Sequence, residues 1–151
     1  MILKGEMASM TYLMFAALGN FVIAFVHAVI PFNGVNAYIY FGTPELALLE
    51  SQGSSAPEIA TWFLALVFTV FGLYCLSGAE IIRPLPLLNP ALWFIGGIYT
   101  LRGSLIVFEI LSLMSGENYP THQLAFSSIA LTIGLMVLIG NWLRMRTPKQ
   151  A

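Results

Sequence analysis

The chain has 151 residues, of which 58% are hydrophobic and only 9% charged, and its formal net charge is −1. Soluble domains carry about a quarter charged residues, so this composition excludes a conventional water-facing surface. It also offers no basic stripe for nucleic acid, and the single cysteine, Cys75, excludes an internal disulfide or a Cys-x-x-Cys redox pair.

Long uncharged runs of about 20 apolar residues are the signature of membrane-spanning helices. The first covers residues 11–30 and ends at Pro31. Lys4 and Glu6 precede it. A secretory signal with a cleavage site around Val26-His27-Ala28 is the rival reading, against which the length of the run and the acidic Glu6 both argue. Asn20 and His27 lie on one face of this helix, and Ala16, Asn20, Ala24 and Ala28 form a ridge of small side chains at i+4 spacing.

The segment "VNAYIYFG" should bring Tyr38 and Tyr40 to a membrane interface. "TPELALLESQG" then predicts a short interfacial helix between spans one and two. Thr43 is its cap, Pro44 its first residue, Glu45 sits at the positive dipole end and Gly53 is the stop. Leu46, Ala47 and Leu49 should face apolar surroundings, with Glu50 and Gln52 toward water.

The second span, residues 57–77, follows the S-x-x-E capping pattern of Ser55 to Glu58. "RPLPLLNP" is a stiff connector to the third span, residues 90–114, which Asn89 should cap with Pro90 at the first helical position. This span carries Tyr99, Arg102, Glu109 and Ser112 on one face and a small-residue ridge of Gly96, Thr100 and Gly103. Gly116 fits a helix stop. Pro120-Thr121 opens the fourth span, residues 122–143, with Ser127, Ser128 and Thr132 inside it. The expected fold is therefore an all-α polytopic membrane protein, one domain over residues 1–151 built as a bundle of four transmembrane helices.

Lys4, Arg83, Arg144, Arg146 and Lys149 all flank the same side of an even-span topology, whereas the other loops carry only Glu45, Glu50, Glu58 and Glu117. Both termini should then be cytoplasmic, with Trp93 and Trp142 at the inner interface and Trp62 at the outer one.

A helix rises about 1.5 Å per residue, which places Arg102 roughly 17 Å and Asn20 roughly 14 Å into the hydrocarbon, while Glu109 and His27 are roughly 27 and 24 Å from the inner surface. Two polar layers result. His27, Glu109, His122 and Ser127 lie near the outer face, and Asn20, Tyr99, Arg102 and Thr132 lie at mid-depth. Seven residues put Arg102 and Glu109 about 10 Å apart along the axis, which argues for a water-bridged network rather than direct contact. The small-residue ridges predict that spans one and three touch, bringing His27 toward Glu109 and Asn20 toward Arg102.

An ionisable residue at such depth points into a bundle or a wet cavity. One reading of Arg102 and Glu109 is structural, a device that sets helix register. The functional reading makes the chain an integral membrane protein binding a lipid-like or quinone-like amphiphile, or an accessory subunit of a membrane complex, with Arg102 as polar anchor. A guanidinium fork suits carboxylate, phosphate or quinone oxygens. Tyr99, Asn20, Glu109, His27 and Thr132 complete the candidate ligand-binding set. The alternative is a small membrane enzyme acting on such a molecule, with Glu109 and His27 as acid and base. Haem or metal would need more than His27 and His122, since neither has a second ligand at i+3 or i+4, so no metal site is expected. A single-copy transporter is disfavoured because no span is expected to be broken. A homo-oligomer or larger complex is compatible with all of these readings.

The stretches "AYIYFGTPELA", "GLYCLSGAEIIRPLPLL" and "IYTLRG" resemble a group of small bacterial four-helix inner-membrane proteins. The likeness covers nearly the whole chain. It implies a bacterial cytoplasmic membrane and no particular activity or cofactor.

Overall fold

A computed structural model of the chain describes residues 2–116 and 120–146, with side chains from Lys4 onward. Glu117 and Lys149, used above as flanking charges, lie outside the described residues. Among the described residues the secondary structure is entirely helical. It comprises α1 (Ile2–Val29), a 3₁₀ turn (Ile30–Asn33), α2 (Gly34–Tyr40), α3 (Pro44–Ser51), α4 (Ala56–Gly78), α5 (Leu88–Gly103), α6 (Ile106–Met114) and α7 (Thr121–Arg146). Four helical stretches are long and apolar enough to cross a membrane: Lys4–Tyr40, Ala56–Gly78, Leu88–Met114 and Thr121–Arg146. Only 17–33% of each apolar window is buried by protein, so most of that surface has no protein neighbour.

The limits differ from the expected spans in two instructive places. α1 begins at Ile2, well before Thr11, because no proline interrupts residues 4–10, where Gly5 is the weakest helix former. The third stretch is interrupted after Gly103. Leu105 N–H reaches Arg102 O (3.4 Å) and Val107 N–H reaches Ser104 O (3.2 Å), the i→i+3 pattern of a tightened turn. Ser104 Oγ also donates to Leu101 O at 2.7 Å. A Gly-Ser pair is a recognised place for a helix to break, and it corrects the expectation of four uninterrupted spans.

The chain forms two compact units, Met1–Gly19 with Phe71–Ala151, and Asn20–Val70. In the 20–70 unit, Ile30, Tyr38 and Ala47 form a small core against which Val26, Val35, Ala37, Phe41 and Leu46 pack. Tyr38 is 2% exposed and shares a 3.4 Å hydrogen bond with Thr61, so it is a core residue and not the interfacial belt residue expected; Tyr40 stays exposed. Its burial follows from "GVNAYIY" folding as a short helix, α2, which the sequence pattern did not announce.

Two glycines at positive φ fold the chain back here. Gly42 N–H bonds Ile39 O and Thr43 N–H bonds Tyr38 O, and Gly53 N–H and Ser54 N–H repeat the pattern on Glu50 O and Leu49 O. These are paired closures that need a left-handed residue, which glycine adopts without Cβ strain. Thr43 precedes α3, but its hydroxyl donates back to Tyr38 O (3.0 Å) instead of capping the helix. The expectation that Glu50 faces water is also corrected: it is partly buried, with Oε2 closed off.

In the other unit, α5 lies along α7. The ridge of Gly96, Thr100 and Gly103 faces α7, not the first span. A Cβ on Gly103 would fall 2.4 Å from Leu131 N, one on Gly96 would fall 2.6 Å from Leu138 Cδ2, and one on Gly134 would fall 2.6 Å from Thr100 N. The answering stripe on α7 is Ser127, Ala130, Gly134, Val137 and Asn141, all buried. The N-terminal part of α1 joins α7 through Ser9 Oγ, which donates to Gly140 O at 2.8 Å. Leu13 fills the space beside Gly78 and Gly140.

The proline-rich connector is strapped to the end of α4. Ser77 Oγ donates to Arg83 O (3.1 Å) and accepts from Leu85 N–H (2.9 Å), while Tyr74 OH donates to Pro86 O (3.1 Å). Asn89 does not cap α5. Leu87 holds that position with φ +54, and the Asn89 side chain instead accepts from Arg144, which also bonds Asn141 Oδ1 at 3.1 Å.

The α5–α7 contact gives a paired prediction. Gly103→Ala should lower stability by about 1–3 kcal/mol, because its methyl meets backbone rather than a movable side chain. Gly97→Ala, with nothing within 4 Å of the new methyl, should be neutral or gain up to about 1 kcal/mol. Thermal melts of both variants in detergent, followed by circular dichroism, check the difference.

Candidate functional site

The break after Gly103 gives Arg102 and Glu109 their electrostatic settings. Arg102 falls in the last turn of α5 and Glu109 in the first turn of α6. A cation at a helix C-terminus and a carboxylate at an N-terminus are each favoured by the local dipole. In one continuous helix neither position would be terminal.

The close approach of α7 then inserts Ser127 between them. Arg102 Nη1 donates to Ser127 Oγ at 2.9 Å, and Ser127 Oγ donates to Glu109 Oε1 at 2.7 Å. The serine hydroxyl has one proton, so the chain has a fixed sense, from guanidinium to hydroxyl to carboxylate. Arg102 Nη1 is also 4.0 Å from Glu109 Oε1. The expected separation of the two side chains is thus corrected, and the two polar layers merge at this point. The arginine is long enough to reach along the helix, and Ser127 bridges the gap that water was expected to fill.

The three groups differ in exposure. Ser127 is fully buried and Glu109 is 5% exposed, but 44% of the Arg102 side chain remains accessible. Glu109 Oε2 is closed to solvent and has no hydrogen-bond partner among the described residues. On Arg102, Nη1 is the nitrogen engaged by a described residue, which leaves Nε and Nη2 as open donors.

The other expected site residues are divided between the two units. Tyr99 is buried on α5, its ring 6.3 Å from that of Phe71 and at 65° to it. Thr132 is exposed, and its hydroxyl donates to Ser128 O within α7 at 2.8 Å, so it is not part of the Arg102 network. Asn20 is fully buried in the 20–70 unit. His27, in the same unit, donates from Nδ1 to Ile23 O at 2.8 Å and packs its ring 4.8 Å from Phe68. His122 packs against Phe126 one turn along α7, with ring centres 5.7 Å apart. Among the described residues no three His, Cys, Asp or Glu side chains gather to hold a metal ion.

Ser127, expected in the outer polar layer but not in the candidate ligand-binding set, bridges Arg102 and Glu109. The i, i+3, i+7 stripe that it begins on α7 was its signal. Searches of known proteins find no matching family model, no similar curated protein and no similar solved structure.

Ser127→Ala should lower stability by about 1–3 kcal/mol, because one buried hydroxyl bonds both the Arg102 guanidinium and the buried Glu109 carboxylate. A double-mutant cycle with Glu109→Gln should be non-additive, since both changes break the same chain. Melting in a mild detergent reads both quantities, and additive losses would mean the groups are not coupled.

Proposed function

We propose that the chain is a multi-pass protein of the bacterial inner membrane, with both termini cytoplasmic, that binds a lipid-like or quinone-like amphiphile with its polar head against Arg102. The membrane assignment is supported by four helices of spanning length whose apolar surfaces are mostly uncovered by protein. One observation carries the binding assignment. The Arg102 guanidinium is held at Nη1 by Ser127 while its remaining donors are open and nearly half of the side chain is accessible. An arginine serving only to fix helix register has no need of open donors, whose desolvation in lipid is costly. A head group with phosphate, carboxylate or quinone oxygens would satisfy them, and two parallel N–H groups would orient it.

On this reading, Arg102→Lys keeps the fold but loses most of the bound amphiphile, because lysine cannot present two parallel donors. Native mass spectrometry of the gently extracted protein reads ligand retention and oligomeric state together, and circular dichroism reads the fold. Full retention in Arg102→Lys and in Arg102→Leu would overturn the assignment. For topology, reporter fusions near Gly53 should signal from outside and C-terminal fusions from the cytoplasm; the reverse would refute the orientation.

A further inference from the structure

The Arg102 site has an open donor set on one side and an unmet acceptor on the other. Glu109 Oε1 is occupied by Ser127, but Oε2 is buried with no partner among the described residues. A buried carboxylate oxygen left without a hydrogen bond carries a desolvation penalty. Arg102 balances the charge of Glu109 but gives Oε2 no hydrogen bond, since its Nη1 lies 4.0 Å from Oε1, the oxygen already engaged. A ligand offering only acceptors would satisfy Arg102 and leave Glu109 as it is.

We infer that the head group held here is dipolar, an anionic oxygen and a primary ammonium joined by a short link, as in a phosphoethanolamine lipid, with Arg102 taking the phosphate and Glu109 Oε2 the ammonium. This inference rests on the amphiphile-binding reading above. Arg102 Nη1 and Glu109 Oε1 are 4.0 Å apart, a separation of the order that a two-carbon link between phosphate and ammonium spans. Entry requires the guanidinium to shift outward with the phosphate, and Arg102 is the accessible member of the network. A phosphocholine head has the same net charge but no N–H on its quaternary nitrogen, so it cannot donate to Oε2. The site therefore discriminates between two zwitterions by hydrogen bonding rather than by charge.

The test places the full-length protein in nanodiscs containing equal amounts of dioleoyl phosphatidylethanolamine and dioleoyl phosphatidylcholine. Native mass spectrometry counts the phospholipids retained after release. The wild-type protein should favour phosphatidylethanolamine on the order of tenfold, the effect of one charged hydrogen bond. Glu109→Gln should bring the two lipids to parity, because its amide presents a donor where an acceptor is needed. The wild-type comparison stands even if that variant folds poorly, and circular dichroism reports whether it does.

Equal retention of both lipids by the wild-type protein overturns the inference, as does a preference that survives in folded Glu109→Gln. Arg102→Leu separates the two levels of the argument. If equal retention is lost in that variant, the Arg102 anchor stands and only the dipolar head group falls. If it is unchanged, both fall. Retention of neither phospholipid overturns the inference and leaves quinone-like molecules for the wider reading.

Discussion

The contact on which the rest of this architecture depends is the backbone approach of α5 to α7 at Gly103 and Leu131. Lipid tails are as apolar as leucine, so helices in a membrane gain little by hiding apolar side chains from their surroundings. They are held by close packing and by hydrogen bonds, and both depend on distance. The missing side chains of Gly96, Gly103 and Gly134 allow that distance. Leu131 is one turn from Ser127, and Gly103 is next to Arg102. The register that seats Gly103 on Leu131 is therefore the register that puts a hydroxyl between Arg102 and Glu109.

The break after Gly103 serves the same end. A helix carrying an arginine and a glutamate in its interior would hold both charges far from any compensating dipole. Ending α5 and starting α6 between them turns two interior positions into two terminal ones, each with the favourable sign. The cost is a short run of weaker i→i+3 bonds, partly offset by the Ser104 hydroxyl on Leu101 O. Geometry that weakens a helix locally thus makes a buried carboxylate beside a partly exposed guanidinium tolerable.

What the sequence disclosed, and what it withheld, follows from the range of each signal. Apolar runs are local, and they located the four long helices. Glycine stops are local too: Gly53 and Gly116 sit where a stop was expected, both at positive φ. Caps were read less well. Asn89 has the composition of a cap, yet its amide is drawn to Arg144, a partner far along the chain that no local pattern announces. Thr43 is likewise drawn to Tyr38 O. The ridge of Gly96, Thr100 and Gly103 was legible as a ridge, but its partner was not, because small residues on several helices offer equivalent grooves. Depth counting separated Arg102 from Glu109 because it measured Cα positions; the side chains span what the backbone separates. Tyr38 was placed at an interface because α2 was not foreseen, and a short helix turns every third or fourth residue to one face, here Tyr38 to the core.

The bond from Ser9 to Gly140 has a consequence for how the chain is made. Its two ends are 131 residues apart, so the carbonyl that Ser9 needs is made only after the whole intervening segment. Until α7 is in place the serine hydroxyl has to use some other acceptor, either its own helix or water. The hydrogen bonds that strap residues 83–86 to the end of α4, by contrast, join residues only six to twelve apart and can close as soon as that segment emerges. The straps beside α4 can thus close locally, whereas the bond that fastens Ser9 has to wait for α7.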